Sequence, residues 1–130
     1  MNAVLMPEQH QSIVIVEDDA GMKKAIERLL RAAGFKPVSF GSAEELLQTN
    51  AADHAACLVL DIHLPGLSGL ELGRLLLTSG RAKSVVFITG QDVASLSDEA
   101  QRLGCAYFRK PFDGKALLEA IRQARKVDAK

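Results

Sequence analysis

This sequence lacks a charge surplus of either sign. Its 16 Lys and Arg balance 16 Asp and Glu, which argues against general attraction to nucleic acid or anionic lipid. It also lacks a long apolar run: nothing approaches the roughly 20 residues of a membrane span. The opening stretch, Met1 to Gln11, has neither the charged nor the apolar region of a secretion signal. A cytoplasmic location is therefore expected, with no membrane and no direct nucleic-acid partner. Cysteine is scarce. Cys57 and Cys105 border expected strands and read as small buried hydrophobes, a disulfide being disfavoured in a reducing compartment. No histidine stands at ligand spacing from them, so a zinc site is excluded. His10, His54 and His63 are scattered through expected loops and read as surface residues.

What is present suits one globular domain. The chain has 130 residues, 48% hydrophobic and 25% charged, which is enough for a core of its own. Residues 1–11 read as a flexible tail and residues 12–127 as the domain. Repeats, low-complexity tracts and internal linkers are not apparent.

Strand and helix patterns alternate along the domain. Ser12 to Val16 is a β-branched run of strand length. Met22, Ala25, Ile26, Leu29, Leu30 and Ala33 follow at helical spacing, and Gly34 stands where a left-handed cap would end that helix. Pro37 to Phe40 is a short strand, its proline suited to a sheet edge. Ser42-Ala43-Glu44-Glu45 is a capping box for a short helix. Ala56 to Leu60 is apolar without alternation, as in a strand buried on both faces. After a loop at Leu64-Pro65-Gly66-Leu67, Ser68 to Glu71 is a second capping box, opening a Leu-rich helix that ends near Gly80. Ser84 to Ile88 is a strand. Leu96, Ala100 and Leu103 mark a weaker helix closed by Gly104, and Ala106 to Arg109 is the last strand. Asp113 is placed to cap a final helix with Leu117, Leu118, Ile121 and Ala124 facing inward. The basic residues at its end, Arg122, Arg125, Lys126 and Lys130, read as a solvated helix face.

The order is (βα)5, which implies an α/β, doubly wound, five-stranded parallel sheet. The strand order expected is the flavodoxin-like 2-1-3-4-5, with a ligand crevice at the carboxyl ends of strands 1 and 3. Glu17-Asp18 and Asp61 stand at those ends, Thr89 just past strand 4, and Lys110 past strand 5. The first loop, Glu17-Asp18-Asp19-Ala20-Gly21, is acidic where a phosphate-binding loop would be glycine-rich. It more plausibly holds a cation, and oxygen ligands select Mg²⁺ or Mn²⁺. With a metal placed, Asp61 can act as nucleophile as well as ligand. Thr89 and Lys110 can meet phosphoryl oxygens. Taken singly, each of these residues has an ordinary reading: loop solvation, a turn Asp, a hydroxyl satisfying backbone, a surface Lys. Their gathering at one sheet edge is what carries the signal.

Four motifs, in order and at strand ends, resemble the bacterial response-regulator receiver domain. They are Val16-Glu17-Asp18-Asp19, Asp61-Ile62-His63-Leu64-Pro65-Gly66-Leu67-Ser68-Gly69, Ile88-Thr89-Gly90 and Lys110-Pro111-Phe112, and the likeness spans about Ser12 to Lys126. The resemblance implies that Asp61 accepts a phosphoryl group from a sensor histidine kinase or phosphotransfer protein. It implies Asp18 as a direct Mg²⁺ ligand, Glu17 as an acidic partner often acting through water, and the backbone carbonyl of His63 as a further ligand. It implies Thr89 and Lys110 at the phosphoryl group and Tyr107 as the aromatic switch residue. Phosphorylation would then re-aim the surface of helix 4, strand 5 and helix 5 toward an output domain or effector protein, or into a phosphorylation-dependent dimer. Such a domain is a signalling phosphoacceptor, assisting only its own phosphorylation and dephosphorylation.

Departures are few. Glu17 is one methylene longer than the Asp common there. Gly90 leaves space near the phosphoryl group, and His63 and Gln91 fall at variable positions that tune phosphoryl lifetime in the family. The Phe40-Gly41-Ser42-Ala43 stretch resembles receivers that precede helix-turn-helix outputs or are attached to hybrid kinases. Three other functions compete. An Asp-nucleophile phosphohydrolase would carry a second acid two residues on, where His63 stands. A pseudo-receiver, a pure interaction module, is opposed by the intact Asp61, Thr89 and Lys110. Flavin binding is opposed by the acidic first loop and the absence of tryptophan.

Overall fold

The computed structural model describes residues 11–90 and 94–128, and side chains of the last helix as far as residue 124. The expected tail, residues 1–11, lies outside the described residues except for Gln11, as does Gln91. Five strands alternate with five helices: β1 Ser12–Val16, α1 Ala20–Ala32, β2 Lys36–Phe40, α2 Ala43–Leu47, β3 Ala55–Asp61, α3 Gly69–Thr78, β4 Val85–Thr89, α4 Ala94–Arg102, β5 Ala106–Arg109 and α5 Gly114–Asp128. The sheet order is β2-β1-β3-β4-β5, and every pairing is parallel. This is the expected doubly wound arrangement, in which right-handed crossovers place helices on both faces.

The strand boundaries follow from what each strand buries. β1 and β4 are buried along nearly their whole length, and β3 from Cys57 to Asp61 is buried throughout. That accounts for their unbroken apolar runs. The register sets Val16 beside Leu60, and Asp61 beside Ile88. Asp61 and Thr89 are thus the final residues of β3 and β4, which end one residue later than the Leu60 and Ile88 expected from sequence, because their backbones still join the ladder. Two apolar clusters cover the two faces. One joins Val14, Val16, Leu58, Leu60 and Phe87 to Ala43 and Leu46 of α2, Leu72 and Leu76 of α3, and Ala100 of α4. The other joins Ile13, Ile15, Val59, Val86 and Ile88 to Ile26 and Leu30 of α1 and to Leu117 and Ile121 of α5. Cys57 is buried in the second cluster, and Cys57 and Cys105 are not joined by a disulfide. Pro37 sits on β2, which among the described residues is an edge strand paired only with β1, as suits its missing N–H.

Caps explain the helix starts. Ser68 Oγ accepts from Glu71 N at 3.1 Å, while Glu71 Oε1 accepts from Ser68 N at 3.3 Å, completing a reciprocal box. At α2 only half of the expected box forms. Ser42 Oγ accepts from Glu45 N at 3.1 Å, but Glu45 Oε1 accepts from Gly41 N at 2.8 Å, one residue before the cap. A 3-10 turn, Ala51–His54, precedes β3 and was not expected. Asp113 Oδ1 accepts from Lys115 N at 3.1 Å at the start of α5, as expected. Among the described residues, no helix is long and apolar enough to cross a membrane.

Candidate functional site

The carboxyl ends of β1, β3, β4 and β5 bring the expected residues together. Parallel strands share one direction, so a residue just past each strand falls at a common edge. Glu17 and Asp18 follow β1, Asp61 ends β3, Thr89 ends β4 and Lys110 follows β5. Backbone bonds fix these ends to one another. Glu17 N donates to Phe40 O at 3.1 Å, Ile62 N to Ile88 O at 2.8 Å, and Lys110 N to Thr89 O at 2.7 Å.

Burial is unequal and chemically telling. Glu17 and Thr89 are fully buried and Asp61 is 4% exposed, whereas Asp18 is exposed. One carboxylate oxygen each from Glu17, Asp18 and Asp61 lies within 4.8 Å of the other two. Like charges that close repel unless a cation joins them. The Lys110 ammonium does part of this, at 2.7 Å from Glu17 Oε1 and 3.1 Å from Asp61 Oδ2. The first contact is close enough for strong attraction, yet it lies off the line of a hydrogen bond. Among the described residues, Glu17 Oε1 therefore has no directed donor although it is buried. Its second oxygen accepts from Asp19 N at 3.0 Å.

The titration of these groups follows from the burial. Desolvation pushes the Glu17 carboxyl up to about 7, against the pull of Lys110 and the Asp19 N–H, and the neighbouring Asp61 adds to the rise. Burial alone would lower the Lys110 ammonium, but Glu17 and Asp61 outweigh it and hold it above its ordinary value. Asp61 Oδ1 accepts from His63 N at 3.0 Å. With Oδ2 on Lys110, both oxygens of that carboxylate are oriented.

His63 and Tyr107 are the remaining candidates. His63 is exposed and joins the site through its backbone. Tyr107 is half-buried on β5, in register with Phe87 and packed against the cluster under α2, α3 and α4. Space is open beside Gly90, where a Cβ would meet nothing within 4 Å.

The donor set fits a hard divalent ion. Among the described residues it offers three carboxylates and no sulfur or imidazole, and one buried carboxylate oxygen lacks a directed partner. One participant was not legible as such. Glu44 of α2, read as part of a helix cap, sends Oε2 across to accept from Leu67 N at 2.9 Å, in the loop that follows Asp61. Only the acidic residue at the second helical position hinted at it.

Comparison with known proteins agrees with this geometry. The family model described as "Response regulator receiver domain" matches residues 13–122. Nodulation protein W of Bradyrhizobium diazoefficiens is 39% identical over 119 residues, covering 91% of this chain and 52% of its own. Transcriptional regulatory protein FixJ of Azorhizobium caulinodans is 33% identical over 134 residues, covering 96% of this chain and 63% of its own. The chain thus spans between half and two-thirds of the length of these relatives. Among solved structures, the response regulator StyR is 35% identical with a TM-score of 0.80, covering 92% of this chain and 61% of that one. A response regulator receiver protein from Burkholderia phymatum is 34% identical with a TM-score of 0.76, covering 89% and 95%.

Proposed function

The chain belongs to the response regulator receiver family, and from that premise we propose that Asp61 is its phosphoacceptor, with Mg²⁺ as cofactor and Mn²⁺ as an alternative. The observation that carries this reading is the state of the Asp61 carboxylate. It is nearly buried, oriented at both oxygens by the His63 N–H and the Lys110 ammonium, and flanked by Glu17 and Asp18.

Chemistry follows from the arrangement. A phosphorylated histidine of a sensor kinase or phosphotransfer protein presents a phosphoryl group bonded to imidazole nitrogen. A carboxylate oxygen of Asp61 attacks the phosphorus, a P–O bond forms as the P–N bond breaks, and the departing imidazole keeps the electron pair and takes a proton from solvent. Glu17, Asp18, Asp61 and the His63 carbonyl would hold the divalent ion, which supplies neutralisation of the charge on the phosphoryl oxygens. Lys110 is already 3.1 Å from Asp61 Oδ2, so its ammonium can follow a phosphoryl oxygen with a small movement. The Thr89 hydroxyl, at the end of the neighbouring strand, would take another oxygen.

The product differs from the free state by one charged group at a sheet edge, which can bias a two-state surface. Thr89 moving to the phosphoryl group and Tyr107 turning inward would carry that bias to α4, β5 and α5. Relatives named as transcriptional regulatory proteins support an effector or output domain as the recipient, with a phosphorylation-dependent dimer as the alternative on this reading. On this reading the domain signals rather than turns over an outside substrate, and it works in the cytoplasm.

Acetyl phosphate with Mg²⁺ tests the proposal. Intact-mass measurement should find one added phosphoryl group on the wild type and none on Asp61→Asn. Labelling that persists in the variant would overturn the assignment.

A further inference from the structure

We propose that Glu44 is a positioning residue whose bond to Leu67 sets the spacing between the two loops that would hold Mg²⁺. The inference rests on the reading of the site given above. Its basis is the corner where β2 turns into α2, because that corner is tied to both loops. Phe40 O accepts from Glu17 N at 3.1 Å, which fixes the loop carrying Glu17 and Asp18. Four residues on, Glu44 Oε2 accepts from Leu67 N at 2.9 Å, which fixes the loop carrying His63. The corner itself is firm. Gly41 N donates to Glu45 Oε1 at 2.8 Å, and Ala43 and Leu46 are buried in the core beneath it.

The approach of Glu44 shapes the loop it holds. Gly66 takes φ +76, and a Cβ there would stand 2.6 Å from Glu44 Oε2. A side chain at position 66 would therefore meet both a left-handed backbone and the carboxylate. The Leu67 N–H also holds the Glu44 carboxyl below its ordinary range. Behind Leu67, the loop is pinned at its other side by Ile62 N on Ile88 O at 2.8 Å and by Gly69 N on Ile62 O at 2.9 Å. The span from His63 to Gly66 is thus suspended between the sheet and Glu44. Mg²⁺ demands near-ideal octahedral geometry, so a sub-ångström drift of the His63 carbonyl matters to its affinity. An outer partner of this kind acts on affinity through the ligand it orients.

Two measurements decide it. Glu44→Ala should lose protection of the Leu67 amide against hydrogen exchange in the metal-free protein. It should also weaken Mg²⁺ binding, read by amide-shift titration, roughly fivefold, below the range for partners bonded directly to ligands. Glu44→Gln keeps an acceptor oxygen and should restore most of both. Equal amide protection and equal Mg²⁺ affinity in wild type and Glu44→Ala would overturn the brace while leaving the phosphoacceptor reading intact. A wild type that binds no Mg²⁺ and takes no phosphoryl group would overturn both. A loss in Glu44→Ala that Glu44→Gln does not restore would overturn the hydrogen bond as the cause.

Discussion

Glu17 is the residue on which the site's pH behaviour turns. Its carboxyl titrates near 7 in the metal-free fold and near 4.5 when exposed. The folded state therefore binds the extra proton, and the group favours folding more as pH falls from about 7 toward 4.5. Between pH 8 and 5 the metal-free protein should gain on the order of 2 kcal/mol from this residue, read by urea unfolding at each pH. Glu17→Gln should flatten that dependence, and an unchanged slope in the variant would place the proton elsewhere. Metal and proton compete for the same carboxylate, so apparent Mg²⁺ affinity should rise with pH up to about 7 and level off above it. Lys110 gives a second residue-scale prediction. Lys110→Ala should still accept some phosphoryl group but fail to bind its partner in the phosphorylated form, as a pull-down with phosphorylated protein would show. Glu17, Asp18, Asp61 and Lys110 were legible in the sequence because charge directly after an apolar run marks a strand end. Glu44 was not, because its partner lies 23 residues away and its own helix cap supplied a sufficient local explanation.

At the scale of elements, α3 is seated by two glycines. Gly69 opens the helix against the end of β3, where a Cβ would stand 1.9 Å from Asp61 O. Gly73 faces the ring of Phe87, with a Cβ only 2.6 Å from Phe87 Cζ. Gly73→Ala should cost roughly 1–3 kcal/mol by overpacking, and Phe87→Leu in the same chain should recover part of that cost, seen as non-additive unfolding energies. Gly69→Ala pushes directly on the Asp61 backbone. It should slow acetyl phosphate labelling as well as lower stability, whereas Gly73→Ala should chiefly lower stability. The helices and strands were readable from apolar spacing and caps, and β3 from its lack of alternation. The 3-10 turn at Ala51–His54 escaped because its Asn50 cap makes no side-chain bond and its residues carry no periodic pattern. The α2 box was half right because Glu45, although three residues after the Ser42 cap as a box requires, turns its Oε1 to Gly41 N rather than to Ser42 N.

For the whole molecule, the sheet order came from topology rules rather than any single residue. Five strands joined by helices leave few right-handed windings, and the flavodoxin-like one sets β1 beside β3, which brings the two acidic ends together. A downstream target lies outside that logic, since the relatives named as regulatory proteins extend well beyond the matched region. Metal should act on the entire fold. Ten times its dissociation constant of Mg²⁺ would stabilise the native state by about 1.4 kcal/mol. Thermal unfolding of the wild type should shift upward by several degrees, and that of Asp61→Asn by much less.

The pocket's formal charges also dictate an order of addition. Glu17, Asp18 and Asp61 against Lys110 sum to −3 + 1 = −2 when all are ionised. An incoming phosphoryl donor is itself an anion, and the pocket repels it until that deficit is cancelled. One divalent ion cancels it completely, whereas potassium or sodium leaves half. Sequential binding is thus written into the electrostatics, the cation first and the anion after. A donor supplied in excess without the metal should find the door shut.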